Sequence, residues 1–353
     1  MSAFHRVWRR ARPFLSVAII TAGVVTAVDR RGEVASAWRL VQRSRWEWMA
    51  IAVVLELGSI VMFTGLQWLL LRWGGVRISR RQLLEITLAA NAVALSVPAG
   101  AAVSARWSYE HLRQRGVERS LAAWTVLAAG ALASFALFDI LVTGAWVAGS
   151  SGPVAPLRPL ATALAMVPVA LVLGGVLVRR VPAVEHAAGT LLHRASGRRS
   201  ASWAIREARA LFTEIRAVRP PPAAWPRAFA LATGNWLTDL GCLVAAILTV
   251  RGPVPWRGIL VAYALAKLAG VLPVTPGGLA VVEGSLAAAL VAYGMPSNAA
   301  VAATLLYRVM SFWAPVPIGW ATYFAVRRQT TRVRGGAARL RASGPEASRP
   351  TSP

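Results

Sequence analysis

Apolar runs close to twenty residues long recur through this 353-residue chain, and clusters of arginine separate them. A hydrocarbon core about 30 Å thick needs roughly twenty such residues per crossing helix. Lipid offers no partner to an open strand edge or a bare loop, so runs of this kind cross as helices. They predict an all-α polytopic membrane protein. The composition agrees, with 56% hydrophobic and 15% charged residues and a mean hydropathy of +0.53. The net charge of +25 does not mark a nucleic-acid binder, because the basic residues punctuate the spans instead of gathering in one patch. Retention of positive loops on the cytoplasmic side, and attraction to an anionic lipid surface, account for them better. Lys267 is the only lysine, and the Arg- and Ala-rich bias points to a high-GC bacterium. The single cysteine, Cys242, excludes a disulfide framework and a cysteine metal site.

Six continuous spans are predicted, at about 14–28, 47–71, 121–148, 159–178, 225–250 and 299–326. Arg6, Arg9, Arg10 and Arg12 precede the first, which reads as an uncleaved signal anchor behind a basic tail, 1–13. Arg179, Arg180, Arg198, Arg199, Arg206 and Arg209 fall in a loop, 179–224, that is expected to be amphipathic and cytoplasmic. Loops 149–158 and 251–257 carry few charges and are expected outside. The tail 327–353 is basic, rich in Gly, Ser and Pro, and expected to be disordered and cytoplasmic. Together these place the chain in the cytoplasmic (inner) membrane of a bacterium, with both termini inside.

Two further apolar segments are interrupted. In Leu272-Pro-Val-Thr-Pro-Gly-Gly-Leu-Ala-Val-Val-Glu283, Pro273, Pro276, Gly277 and Gly278 divide 258–293 into two halves. Each half reaches only about 22 Å, too short to cross, so a re-entrant hairpin is predicted. Broken backbone survives at membrane depth only where protein or a wet cavity satisfies it, which makes such a break a candidate site. Segment 83–105 holds a similar stretch, Leu95-Ser-Val-Pro-Ala-Gly-Ala-Ala-Val103. An offset of 178 residues pairs Pro98 with Pro276, Gly100 with Gly278, Gly116 with Gly294 and Ala122 with Ala300. Loop charge orients the two units oppositely, giving two re-entrant broken-helix hairpins in inverted repeats, with repeat cores at about 83–148 and 258–326. A plain crossing at 83–105 is the alternative; it would put Arg72, Arg77, Arg80 and Arg81 outside.

Charged groups within spans need a partner or water. Glu283 follows the break and suits a cation or headgroup contact, or a cap on the second half-helix. Arg308 lies mid-span: its guanidinium fits a phosphate in bidentate fashion, or forms an ion pair with Glu283 or Asp239. Asn235 and Asp239 share one helix face, either toward a cavity or in interhelical hydrogen bonds. Lys267 either snorkels or touches a headgroup. Asp139 and Glu56 are expected to pair with arginines. Arg106, Trp107 and Tyr109 form an interfacial cluster, an aromatic belt or a phosphate contact. His5, His111, His186 and His193 show no metal-ligand spacing. Nor is there a Walker motif, nucleophile elbow or dinucleotide fingerprint, so neither cofactor nor metal nor catalytic residue is expected.

At these motifs the chain resembles the transmembrane, flippase-like region of lysylphosphatidylglycerol synthases, over roughly residues 10–326. The residues that carry the likeness are Leu272–Glu283, Gly294, Thr304-Leu-Leu-Tyr-Arg308, Phe312-Trp-Ala-Pro315 and Gly319, with Ser96–Arg106 as the first-repeat counterpart. Many members place a Gly-Glu pair before the arginine of that first motif; here residues 102–105 lack an acid. The resemblance implies a single flippase-like domain, 14–326, without an aminoacyl transferase domain. It implies movement of a phospholipid or polyprenyl-linked headgroup, with Arg308, Glu283, Asp239, Asn235, Arg106 and Lys267 as candidate contacts. The competing expectation is a non-transporting subunit or regulator of envelope lipid or glycan synthesis. A homo-oligomer or an envelope-synthesis enzyme are then the protein partners to expect. A membrane-embedded transferase is weaker still, for want of a general base.

Overall fold

The computed structural model describes residues 45–97, 100–149, 159, 224–271 and 275–326, all of whose regular structure is helical. The protein is an all-α polytopic membrane protein. Four helices are long and apolar enough to cross a bilayer: α1 (Trp46–Trp73), α4 (Arg119–Val147), α5 (Trp225–Thr249) and α8 (Ser297–Val326). They coincide with four of the six predicted spans to within two residues at either end. The span at 14–28, all but the end residues of the span 159–178 and loop 179–224, and both tails lie outside the described residues, as do Pro98 and Pro273.

Helix α1 is patterned inside out. Its packed face carries Glu56, Ser59, Thr64 and Gln67, at helical spacing, while Ile51, Val53, Val54, Leu57 and Val61 are exposed. Hydrocarbon accepts those apolar side chains at no cost, so polar groups collect where protein can satisfy them. The helix lies along α5, and small residues bring the two backbones together. A Cβ at Gly58 would stand 3.7 Å from Thr238, at Gly234 3.5 Å from Met62, and at Gly241 3.1 Å from Leu55. Helix α4 meets the short helix α6 (Ile259–Val271) through Gly144, where a Cβ would lie 2.6 Å from Leu260.

Each interrupted segment folds into two short helices. In the first, α2 (Arg80–Ser96) is capped by Ser79, whose hydroxyl accepts from Gln82 N–H at 3.3 Å. It ends at Val97, held extended (φ −123°, ψ 147°) by the proline that follows. Helix α3 (Gly100–Gln114) then packs back on α2. This hairpin exceeds the predicted 83–105 at both ends: α3 continues past Arg106 because its polar residues leave the apolar layer without breaking the helix.

In the second, α6 and α7 (Val281–Ala292) flank a 3₁₀ turn, Pro276–Gly278. Thr275 Oγ1 donates to the Leu279 carbonyl at 2.9 Å across that turn. Gly277 and Gly278 have φ of 56° and 68°, and Ala280 adopts 65° despite its side chain. A Cβ at Gly277 would fall 2.1 Å from Phe312 and 2.6 Å from the Leu95 carbonyl oxygen. The two breaks therefore touch. Helix α8 seals the contact: Trp320 Nε1 donates to Ser96 Oγ at 2.9 Å, and Gly319 lies against Leu88.

The offset of 178 residues holds at the corners that follow the hairpins. After α3, Gly116 N–H reaches the Arg113 carbonyl and Val117 N–H that of Leu112; after α7, Gly294 and Met295 do the same with Val291 and Leu290. Gly116 and Gly294 both take positive φ, 81° and 91°. These are matching Schellman ends. The match fails at the breaks themselves. Gly100 begins a helix, whereas its counterpart Gly278 lies in a turn three residues before one, because the second break carries the longer Pro/Gly run.

Candidate functional site

Asp239, buried on α5, is the centre of a polar cluster. Tyr263 Oη on α6 donates to its Oδ2 at 2.5 Å, and Tyr307 Oη on α8 donates to its Oδ1 at 2.9 Å. Lys267 Nζ forms an ion pair with the same Oδ2. The ammonium also lies over the rings of Tyr307, Tyr263 and Trp236, at 5.3, 5.4 and 5.8 Å. Three aromatic faces and a carboxylate replace the water that the cation gave up. Lys267 does not snorkel. Tyr263 and Lys267 share a face of α6 one turn apart, so both address one carboxylate.

Glu56 of α1 is buried and borders the same space as Asp239 and Lys267. Its second oxygen, Oε2, is buried with no partner. No arginine pairs with it among the described residues. Asp139, for which an arginine was also expected, is exposed on α4 and has no ion pair among the described residues.

A cavity of about 460 Å³ adjoins the cluster, lined by α1, the first hairpin, α4 and α5, with one residue each from α6 and α8. Among the described residues Glu56, Asp239 and Lys267 are its ionisable lining, and Ser59, Gln67, Thr87, Asn91, Ser104, Ser108, Asn235 and Ser311 supply hydroxyls and amides. Ser59 Oγ donates to Asn235 Oδ1 at 3.0 Å, and Gln67 Nε2 to Thr87 Oγ1 at 3.2 Å. Asn235 thus makes an interhelical bond and also faces the cavity. Ser311 reaches it from a π-helical turn in α8, Val309–Trp313, which swings that side chain out of the α-helical register.

The other predicted contacts do not line this cavity. Arg308 is buried, donating from Nε to Glu283 Oε1 at 2.7 Å and from Nη2 to the Gly277 carbonyl at 3.2 Å, with its guanidinium 4.3 Å from the Phe312 ring centre. It braces the second break. Glu283 sits in the first turn of α7 and makes no N-cap bond there. Of the two ion pairs open to Arg308, the one with Glu283 forms; Asp239 is taken by Lys267. Arg106 is largely exposed and pairs with Glu110 at 2.8 Å, one turn along α3. Trp107 stacks on His111 at 3.7 Å and approaches Tyr323 at 5.6 Å.

Sequence reasoning missed Glu56, Tyr263, Tyr307 and the amides of α1 and α2 as site residues. The inside-out pattern of α1 was the signal available for Glu56, Ser59 and Gln67.

A family model described as the lysylphosphatidylglycerol synthase TM region matches residues 14–319. The chain belongs to that family. The match covers both hairpins and every residue that lines the cavity. The chain is also similar to a UPF0104 membrane protein of Methanothermobacter thermautotrophicus, 29% identical over 91 residues. That alignment spans 26% of this chain and 27% of the relative.

Proposed function

We propose that this protein moves a lipid headgroup, of a phospholipid or a polyprenyl-linked lipid, across the cytoplasmic membrane, leaving the acyl chains in the bilayer. The observation that carries the reading is the polar cavity beside two touching broken helices, inside a shell whose outer face is apolar. A headgroup cannot cross hydrocarbon unaided, since each polar group stripped of water costs several kcal/mol. Serine, threonine, asparagine and glutamine side chains along the cavity replace those lost hydrogen bonds. Lys267, held by Asp239 but facing the cavity, is the cation best placed to meet a phosphate oxygen; Arg308 and Glu283 keep the second break in shape. Family membership supports a lipid-related role. The matching corners after α3 and α7 support two repeated units, and the charge of the loops supports their opposite orientation, with both termini on the cytoplasmic side.

Vesicles containing the purified protein and labelled lipids test this. Lipid movement above that of empty vesicles, lost in Lys267→Gln and Asp239→Asn proteins that remain folded, supports it. Folded wild-type protein that moves none of a broad lipid panel overturns it. A second reading, a non-transporting subunit of an envelope-synthesis enzyme, rests on the arginines of 179–224. It expects cellular function to survive Lys267→Gln and to fail when those arginines are replaced.

A further inference from the structure

We propose that the headgroup this protein takes is glycosylated, and that the carboxamides of Gln67, Asn91 and Asn235 read its sugar hydroxyls. As a statement about cargo this rests on the lipid-transport reading; the preference of the cavity for a sugar does not.

Three helices each present one carboxamide to the cavity: Gln67 from α1, Asn91 from α2 and Asn235 from α5. Packing uses only part of their capacity. Gln67 Nε2 donates to Thr87, and Asn235 Oδ1 accepts from Ser59. Gln67 Oε1 and Asn235 Nδ2 have no partner among the described residues, and neither end of Asn91 has one. The hydroxyl of Ser108, on α3, is open as well. Helix-to-helix bonding therefore accounts for half of two amides and for nothing at Asn91. An unfilled amide inside a membrane domain costs free energy until water or a ligand meets it.

The open set mixes donors with acceptors, and that mixture selects the ligand. A phosphate only accepts and leaves Gln67 Oε1 without a donor; an ammonium only donates and leaves the Asn235 N–H groups without an acceptor. The aromatic faces and the carboxylate that suit an ammonium are already filled by Lys267. A hydroxyl does both, and neighbouring hydroxyls on a sugar ring answer the N–H and C=O of one carboxamide together. No arginine lines the cavity among the described residues. Lys267, its cation, is shared with Asp239 and suits at most the one phosphate that links a sugar to its lipid. Phe63 and Trp236 supply apolar wall for the C–H face of the ring, and Trp236 is fixed by its N–H bond to the Ala133 carbonyl at 2.7 Å. At about 460 Å³ the space falls within the roughly 300–1,000 Å³ of small-molecule sites.

Lipid binding in nanodiscs tests the headgroup without requiring movement. Full-length protein in phosphatidylcholine nanodiscs is titrated with glucosyl-diacylglycerol, polyprenyl phosphoglucose, phosphatidylethanolamine and phosphatidylglycerol, and bound lipid is read by native mass spectrometry. At least one sugar lipid is expected to bind about tenfold more tightly than either unglycosylated phospholipid, the worth of one or two hydrogen bonds. Comparison of the two sugar lipids shows whether the linking phosphate is read too. Asn91→Leu is expected to remove the preference and, because Asn91 makes no hydrogen bond, to leave the melting temperature unchanged. Ser108→Ala is expected to weaken sugar-lipid binding several-fold, and serves where Asn91→Leu does not fold. Equal binding of all four lipids, tighter binding of an unglycosylated one, or a sugar preference that survives both substitutions overturns the proposal. Absence of movement in vesicles overturns the transport reading alone, and the nanodisc titration still decides the headgroup. Movement of unglycosylated lipids with no sugar preference in nanodiscs overturns this proposal alone.

Discussion

Arg308 and Glu283 join the last helix to the first turn beyond the second break, with Nε 2.7 Å from Oε1. The same guanidinium holds the carbonyl of Gly277. Removing one partner strands a charge in a poorly solvated place, which typically costs about 3–5 kcal/mol. Arg308→Gln and Glu283→Gln should each lower the melting temperature in detergent markedly. The double variant should fall short of the sum of the two losses. Strict additivity in that cycle would mean that the pair does not interact.

Gly277→Ala and Gly284→Ala should move stability in opposite directions. At Gly277 a methyl meets Phe312 and the Leu95 carbonyl, and the backbone is left-handed, so a loss of more than about 1–2 kcal/mol is expected. Gly284 lies in α7 with open space where its Cβ would go, so alanine should gain up to about 1 kcal/mol. Thermal melts of both variants check the contrast.

Tyr263→Phe and Tyr307→Phe each remove one hydroxyl from Asp239 and leave the ring over Lys267. A hydrogen bond to a charged group contributes about 1.5–3 kcal/mol, so each should destabilise by that order. Chemical unfolding monitored by tryptophan fluorescence provides the measurement. Loss in one variant alone would show that the two hydroxyls are not equivalent donors.

Opposed orientation of the two units predicts opposite labelling of two residues 178 positions apart. Cys242 is buried, which leaves the native background low. Glu118→Cys, before α4, should react with an impermeant maleimide only from the cytoplasmic side. Pro296→Cys, before α8, should react only from outside. Labelling of both from one side would end the inverted arrangement.

The long helices were legible because hydrocarbon selects apolar length directly: α1, α4, α5 and α8 begin and end close to where hydropathy put them. The second break was legible for a related reason, since Pro276, Gly277 and Gly278 cannot continue a helix. Asn235 and Asp239 also face the cavity, as one of their two readings had it, and Lys267 lines it beside them. What stayed hidden was pairing. Glu56 and Asp239 stand 183 residues apart in sequence, and nothing along the chain announces that they line one cavity. Tyr263 and Tyr307 look like packing residues inside apolar runs; only the position of Asp239 turns them into donors. Arg106 stands apart from the cavity, and Glu110 one turn away, its partner, was in view along the chain.

Where Leu95 and Gly277 meet, not even a methyl group fits between the two halves of the molecule. Neither bent segment can tilt inward without pushing on its counterpart. Whatever motion exposes the interior must carry both together, like two doors hung on a single post.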